Sequence, residues 1–216
     1  MKQNKVKIIS FEGVDGSGKG SLIKMLKEYL EKTERFSDFV FTRESGGSTL
    51  SEKIRTLLMD TENSMSGFTE FFLFSSSRRN TMEQVTIPAL NAGKIVIYDR
   101  FVDSSIAYQG FGRGVSLKMI KKINKLATMG HSADITFLIS IKPEDGLARN
   151  SCDISKMARF ELDGINLQRL AYAGYDSIAR KDRKRVFKID NSDNIENAFN
   201  EILRILEMKG VINCKK

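Results

Sequence analysis

Five short runs of β-branched and aromatic residues, separated by segments of helical period, predict a three-layer α/β fold. Its five-stranded, mainly parallel sheet would be flanked by helices. Two further observations point the same way. The run Ile95-Val96-Ile97-Tyr98 is apolar without alternation, as in a parallel strand buried on both faces. A glycine-rich turn separates the first run from its helix, and sheets of this kind bind ligands beyond the carboxyl ends of their strands.

The elements follow in order. Lys7 to Phe11 forms the first strand, and Leu22 to Leu30 the first helix. Asp38–Thr42 is a second strand, Leu50–Met59 a helix, and Gly67–Leu90 a long helix with Pro88 near its end. The strand Lys94–Tyr98 precedes helical segments at Phe101–Tyr108 and Leu117–Met129. Asp134–Ile139 is the fourth strand, Phe160–Ala179 a helix, Arg185–Ile189 the last strand and Ile195–Met208 a closing helix. No repeat, linker or low-complexity tract interrupts them, so the 216 residues are expected to form a single domain.

Composition narrows the class. Hydrophobic residues make up 41% and charged residues 29%, an ordinary balance for a soluble globular chain. No apolar run approaches the ~20 residues of a membrane span. The N-terminus runs directly into the first strand, so no signal peptide is expected. Cys152 and Cys214 lack metal-ligand spacing and read as free thiols in a reducing cytoplasm. The net charge of +8 is concentrated in the two ends and in Arg180-Lys181-Asp182-Arg183-Lys184-Arg185, not in a stripe with interleaved aromatics, which argues against nucleic acid as a partner. The single histidine, His131, lies beside Gly130 and reads as a loop residue.

The chemistry lies after the strands. Gly13-Val14-Asp15-Gly16-Ser17-Gly18-Lys19-Gly20-Ser21 fits G-x-x-x-x-G-K between a strand and a helix, so a P-loop NTPase fold is expected. Glycines let consecutive N–H groups converge on phosphate oxygens, the helix dipole adds positive charge, and Lys19 supplies a mobile cation. Gly20 stands where Ser or Thr is usual; a hydroxyl comes one place later, at Ser21. The dinucleotide pattern G-x-G-x-x-G fails at Ser21. Arg43, Arg100 and the group Arg149, Lys156 and Arg159 follow three other strands. Guanidinium forks facing one phosphate loop suit a site for several phosphates.

The ordered set of segments resembles the thymidylate kinase family of nucleoside monophosphate kinases. These are Phe11–Lys19, Thr42-Arg43-Glu44, Leu73-Phe74 with Arg78, Ile87–Leu90 with Gly93, Asp99-Arg100-Phe101 with Ser104–Gly110, and Arg159-Phe160-Glu161. The resemblance implies transfer of the γ-phosphoryl of ATP to dTMP with Mg²⁺, in a homodimer packed through long helices. The chain departs from the family pattern with Ser45 in place of Pro, Phe101 in place of the commoner Tyr, and Ala158 in place of Asp.

Role by role, the loop residues Gly13 to Ser21 are expected on the ATP phosphates, with Lys19 on the β- and γ-phosphates. Arg100 and Arg43 are expected on the acceptor phosphate, with Asp15 orienting acceptor-side groups or Lys19. Asp99 is a candidate Mg²⁺ ligand through water, or else ties its strand to the loop. By resemblance, Phe74 stacks on the base, Arg78 donates to a base carbonyl, and Ser104, Ser105 and Gln109 border the same pocket. Tyr108 would fill the space of a ribose 2′-hydroxyl. The segment 149–161 reads as a lid that excludes water and brings Arg149 or Arg159 to the transferring phosphoryl. Other readings of the same residues are another nucleoside monophosphate or deoxynucleoside kinase, or a nucleotide-binding relative with reduced turnover.

Overall fold

The computed structural model describes residues 6–33, 35–150 and 164–212. The strands are β1 (Ile8–Glu12), β2 (Phe39–Arg43), β3 (Ile95–Asp99), β4 (Ile135–Ser140) and β5 (Val186–Asp190). All pair in parallel, in the order β2-β3-β1-β4-β5, which matches the predicted class. The principal helices are α1 (Lys19–Glu31), α2 (Thr49–Met59), α3 (Gly67–Thr81) and α4 (Ile87–Asn91). They continue with α5 (Val102–Ser105), α6 (Leu117–Ala127), α7 (Pro143–Asn150), α8 (Gly164–Lys181) and α9 (Ile195–Met208).

Side chains alternate across the pleat, and that alternation builds the layers. Ile9, Phe11, Ile97, Phe137 and Ile139 point to one face, where Leu22, Leu26 and Leu30 of α1 and Ile202 and Leu206 of α9 cover them. Ile8, Val96 and Tyr98 point to the other, beneath Met82, Ala89 and Phe101. On the same face Leu138 and Val186 meet Ala107, Leu167, Ala171 and Tyr175. Glu12 shares this second face, so the carboxylate at the end of β1 is buried under α5 and α8 rather than turned to solvent.

The expected long helix Gly67–Leu90 is interrupted. Between α3 and α4, Met82–Thr86 forms a π turn. Pro88 has no N–H to give, and its ring would press on the carbonyl four residues earlier; a widened turn relieves both problems. The expected helix Phe101–Tyr108 divides similarly into α5 and a π segment, Ile106–Gly112. That segment presents the buried Tyr108 and Gln109. Of the expected lid, Lys156, Ala158 and Arg159 lie outside the described residues, as do Cys152 and Cys214.

Candidate active site

The phosphate loop runs from Gly13 into the first turn of α1, which begins without a side-chain cap. Its leading N–H groups are therefore available to an anion. Gly18 sits at φ 88°, and a Cβ there would come within 2.4 Å of the Asn191 amide nitrogen, which donates to the Ser17 carbonyl at 2.8 Å. At the apex, Gly16 and Gly146 of α7 meet back to back: a Cβ on Gly16 would lie 1.9 Å from the Gly146 carbonyl oxygen. Lys19 is buried and donates to the carbonyls of Gly13 at 3.1 Å and Val14 at 2.9 Å and to the Ser17 hydroxyl at 3.2 Å. Burial and the neighbouring Arg100 charge lower its ammonium to about 8, against the pull of Asp15, Asp99 and Glu12.

Two cavities flank this loop. The larger, about 800 Å³, is lined by Gly16 to Ser21, Asp99, Arg100, Arg149 and the turn Asn191–Glu196. The smaller, about 190 Å³, is lined by Asp15, Glu44, Ser45, Arg55, Met59, Phe74, Arg78, Arg100, Ser104, Ser105, Tyr108 and Gln109. Arg100 belongs to both. It reaches the loop because β1 and β3 are parallel neighbours with Phe11 opposite Asp99, which sets Arg100 beside the end of β1. Its Nη1 donates to the Gly13 carbonyl at 3.0 Å and the Tyr175 hydroxyl at 3.1 Å, while Nη2 pairs with the Asp15 carboxylate. Burial acts to raise the Asp15 carboxyl, but Arg100, Lys19 and Gln168 outweigh it and hold it below its usual value.

The predicted acceptor residues line the smaller cavity, with one exception. Arg43 does not line it. Its guanidinium pairs with Glu52 at 2.8 Å on an exposed part of α2, because the last residue of β2 points outward there. The cation from this part of the chain is Arg55, whose Nη1 donates to the Ser45 carbonyl at 3.2 Å. Arg55 falls on the helix stripe of Ser51 and Leu58, both buried; a basic residue on that stripe was the available signal.

Arg78 lies in the cavity wall, as expected. Its buried partner is Glu44: Nε and Nη2 approach that carboxylate at 2.7–2.9 Å. Nη1 donates to Asn124 at 2.6 Å, and Nη2 also reaches Ser105 at 2.9 Å. These partners take Nε, Nη2 and one N–H of Nη1. Arg78 forms a fixed polar wall beside Phe74.

Gln109 donates through its amide nitrogen to the buried Glu70 at 2.8 Å. Ser45 lines the cavity, its hydroxyl buried without a hydrogen-bond partner among the described residues. On the other side of the site, Arg149 donates to the carbonyls of Asn191 and Ser192, both at 3.1 Å, at the wall of the larger cavity.

Beneath Arg100 lies a buried polar group that sequence reasoning missed. Glu12 accepts from the Phe101 N–H at 2.7 Å, the Ser104 hydroxyl at 2.6 Å and the Tyr175 hydroxyl at 3.0 Å. Gln168, also on α8, donates to Asp15 at 2.7 Å and accepts from the Asp15 N–H and the Tyr108 hydroxyl, each at 3.2 Å. Burial pushes the Glu12 carboxyl up from its ordinary 4.5 to about 7; the Asp103 charge adds to the rise, and contacts with Ser104, Arg100 and Phe101 oppose it.

A parallel sheet with a phosphate loop after its first strand, and a second cavity sharing an arginine with the first, defines a P-loop kinase of the kind that handles two phosphorylated ligands. The family model described as thymidylate kinase matches residues 11–202. A thymidylate kinase from Finegoldia magna is 38% identical over 205 residues, covering 94% of this chain and 99% of the relative. One from Chlorobaculum parvum is 38% identical over 208 residues, covering 93% and 95%. The crystal structure of thymidylate kinase from Ehrlichia chaffeensis superimposes with a TM-score of 0.77 at 31% identity, covering 93% of this chain and 98% of that one. The chain belongs to the thymidylate kinase family.

Two outcomes test this description. Removing one partner of a buried ion pair strands the other charge, so Arg78→Ala is expected to destabilise the fold by about 3–5 kcal/mol in urea titration. Loss near zero would mean that the Glu44–Arg78 pair is not buried in solution. The raised Glu12 carboxyl makes stability pH-dependent: its contribution is complete below pH 4.5 and is lost as pH rises through about 7. The stability of wild type relative to Glu12→Gln, which keeps a neutral side chain, should therefore fall between those pH values and level off above them. A pH-independent difference would overturn the buried-carboxyl assignment.

Proposed function

We propose that this chain is a thymidylate kinase that transfers the γ-phosphoryl of ATP to dTMP, giving ADP and dTDP. The observation that carries the reading is Arg100, shared by a phosphate-loop cavity and a smaller cavity sized for a nucleotide ring. Transfer between two nucleotides brings two polyanions together, so charge must be compensated where they meet. The acceptor phosphate is already a nucleophile and needs no general base. Its oxygen bonds to the γ-phosphorus as the bond to the β-bridging oxygen breaks and ADP leaves.

In this reading the loop N–H groups and Lys19 hold the donor phosphates, and Arg100 and Arg55 hold the acceptor phosphate. Asp15 keeps Arg100 on the line of transfer. Phe74 stacks on the base, the Arg78, Ser105 and Gln109 edge reads its polar groups, and Tyr108 closes the sugar side. Excluding water from the γ-phosphate is the role this reading gives to the segment 149–161, of which residues 151–161 lie outside the described residues. With Arg149 bound to carbonyls on the cavity wall, Arg159 is the remaining candidate for the transferring phosphoryl.

Among the described residues no cluster of three or more acidic, histidine or cysteine side chains is placed to hold a metal alone. Asp99 and Ser21 line the larger cavity beside Lys19, a sparse set of hard oxygen donors. That set fits Mg²⁺, which takes most of its ligands from phosphate and water. When bound, the ion supplies charge neutralisation on the β- and γ-phosphates. Among the described residues no helix is long and apolar enough to cross a membrane, and we assign the chain to the cytoplasm as one catalytic domain.

The functional unit in this reading is a homodimer. Leu50, Phe72, Ile123 and Leu126 of α2, α3 and α6 line one surface groove, and Phe72 and Leu126 are 47% and 65% exposed. A contiguous apolar surface on helices is what a second copy would cover.

Coupled ADP release, compared for dTMP, dUMP, dCMP, AMP and thymidine, tests the activity. Turnover should be highest with dTMP and fall by orders of magnitude in Lys19→Ala and Arg100→Ala. Preference for thymidine would instead make the chain a nucleoside kinase. Loss of a charge-assisted phosphate contact costs about 1.5–3 kcal/mol, so Arg55→Ala should raise the dTMP KM about tenfold or more. Arg43→Ala should change it little; the reverse order would restore Arg43 to the site. Sedimentation should give a dimer for wild type and a monomer for Leu126→Asp. A wild-type monomer would exclude the pairing.

A further inference from the structure

Arg100 has the left-handed backbone conformation, φ 64°, which a side chain with a Cβ rarely adopts. Such a conformation persists only where neighbouring contacts over-determine it. Here the Arg100 N–H donates to the Phe11 carbonyl at 2.9 Å, and the next N–H, that of Phe101, donates to Glu12 Oε1 at 2.7 Å. The other oxygen of the same carboxylate, Oε2, accepts the hydroxyls of Ser104 and Tyr175. The two hydroxyls also lie 2.8 Å from one another, and both oxygens are within reach of Arg100. Nη1 of Arg100 donates to both, at 3.1 Å to Tyr175 and 3.4 Å to Ser104.

We propose that Tyr175 is a positioning residue for phosphoryl transfer: its hydroxyl, held by Glu12, fixes the Arg100 guanidinium where the two cavities meet. The inference rests on the reading of Arg100 as the acceptor-phosphate cation. It assigns a role in the reaction to α8, the first described helix after residue 163. Tyr175 is 2% exposed, and its ring packs edge-on against Tyr108 at 6.2 Å between centroids. A phenylalanine would keep that packing, so the hydroxyl itself is the element to explain. A buried hydroxyl needs partners, and those of Tyr175 are the carboxylate that pins the Arg100 backbone, the guanidinium that backbone carries and the Ser104 hydroxyl at 2.8 Å.

The test is a double-mutant cycle on dTMP affinity, measured by calorimetry with wild type, Tyr175→Phe, Arg100→Ala and the double variant. Tyr175→Phe is expected to weaken dTMP binding about tenfold and leave ATP affinity unchanged. In the Arg100→Ala background the same substitution should cost nothing further. Ser104→Ala removes a second side-chain oxygen from Nη1, beside the Gly13 carbonyl, and should show the same dependence on Arg100, which provides a second measurement if Tyr175→Phe folds poorly. Unchanged dTMP affinity in Arg100→Ala would overturn the reading of Arg100 itself. A loss in Arg100→Ala without one in Tyr175→Phe would overturn only the role of Tyr175. Losses that add in the double variant would show that Tyr175 acts independently of Arg100, and would also overturn it.

Discussion

The ion pair between Arg100 and Asp15 joins the end of β3 to the loop that leaves β1, and the site takes its shape from that join. Parallel pairing of neighbouring strands puts both residues at the same edge of the sheet. The pair stands between two cavities, so neither ligand space can change shape without moving it. Gln168 grips Asp15 from α8 while Tyr175 grips Arg100, and the two lie seven residues apart on one helix face. A single helix therefore holds both halves of the pair.

Lys19, buried, and Arg100, part-buried, place two cations near one another, which is unfavourable where the dielectric is low. Asp15, Asp99 and Glu12 offset part of this cost, yet the Lys19 ammonium remains well below its ordinary range. An anionic ligand relieves what the carboxylates do not.

The sheet and most helices were legible because their signals are local. Alternation, apolar runs and the glycine turn each lie within a dozen residues. Pro88 announced a difficulty in its helix but not the form the solution would take, because a π turn depends on packing on both sides. The glycine turn after β1 and most of the residues that line the smaller cavity beside Arg100 were readable from type and order. Arg43 was misplaced because a strand end does not reveal which way its side chain points; Glu52, nine residues later, decides that. The partnership of Arg78 with Glu44 spans 34 residues, and that of Tyr175 with Glu12 spans 163, so no window along the chain contains either. Gln168 and Tyr175 did leave a trace, as polar residues on the otherwise apolar stripe of α8.

The approach of Gly16 to Gly146 bears on how this chain can vary. A Cβ on Gly16 would meet the Gly146 main chain, and a Cβ on Gly146 would stand 2.4 Å from the Asp15 carbonyl oxygen. The obstruction on both sides is main chain, which cannot rotate aside as a side chain can. No substitution at one position is rescued by a smaller residue at the other, since nothing smaller exists. While the main chain keeps this course, each position has room for glycine alone.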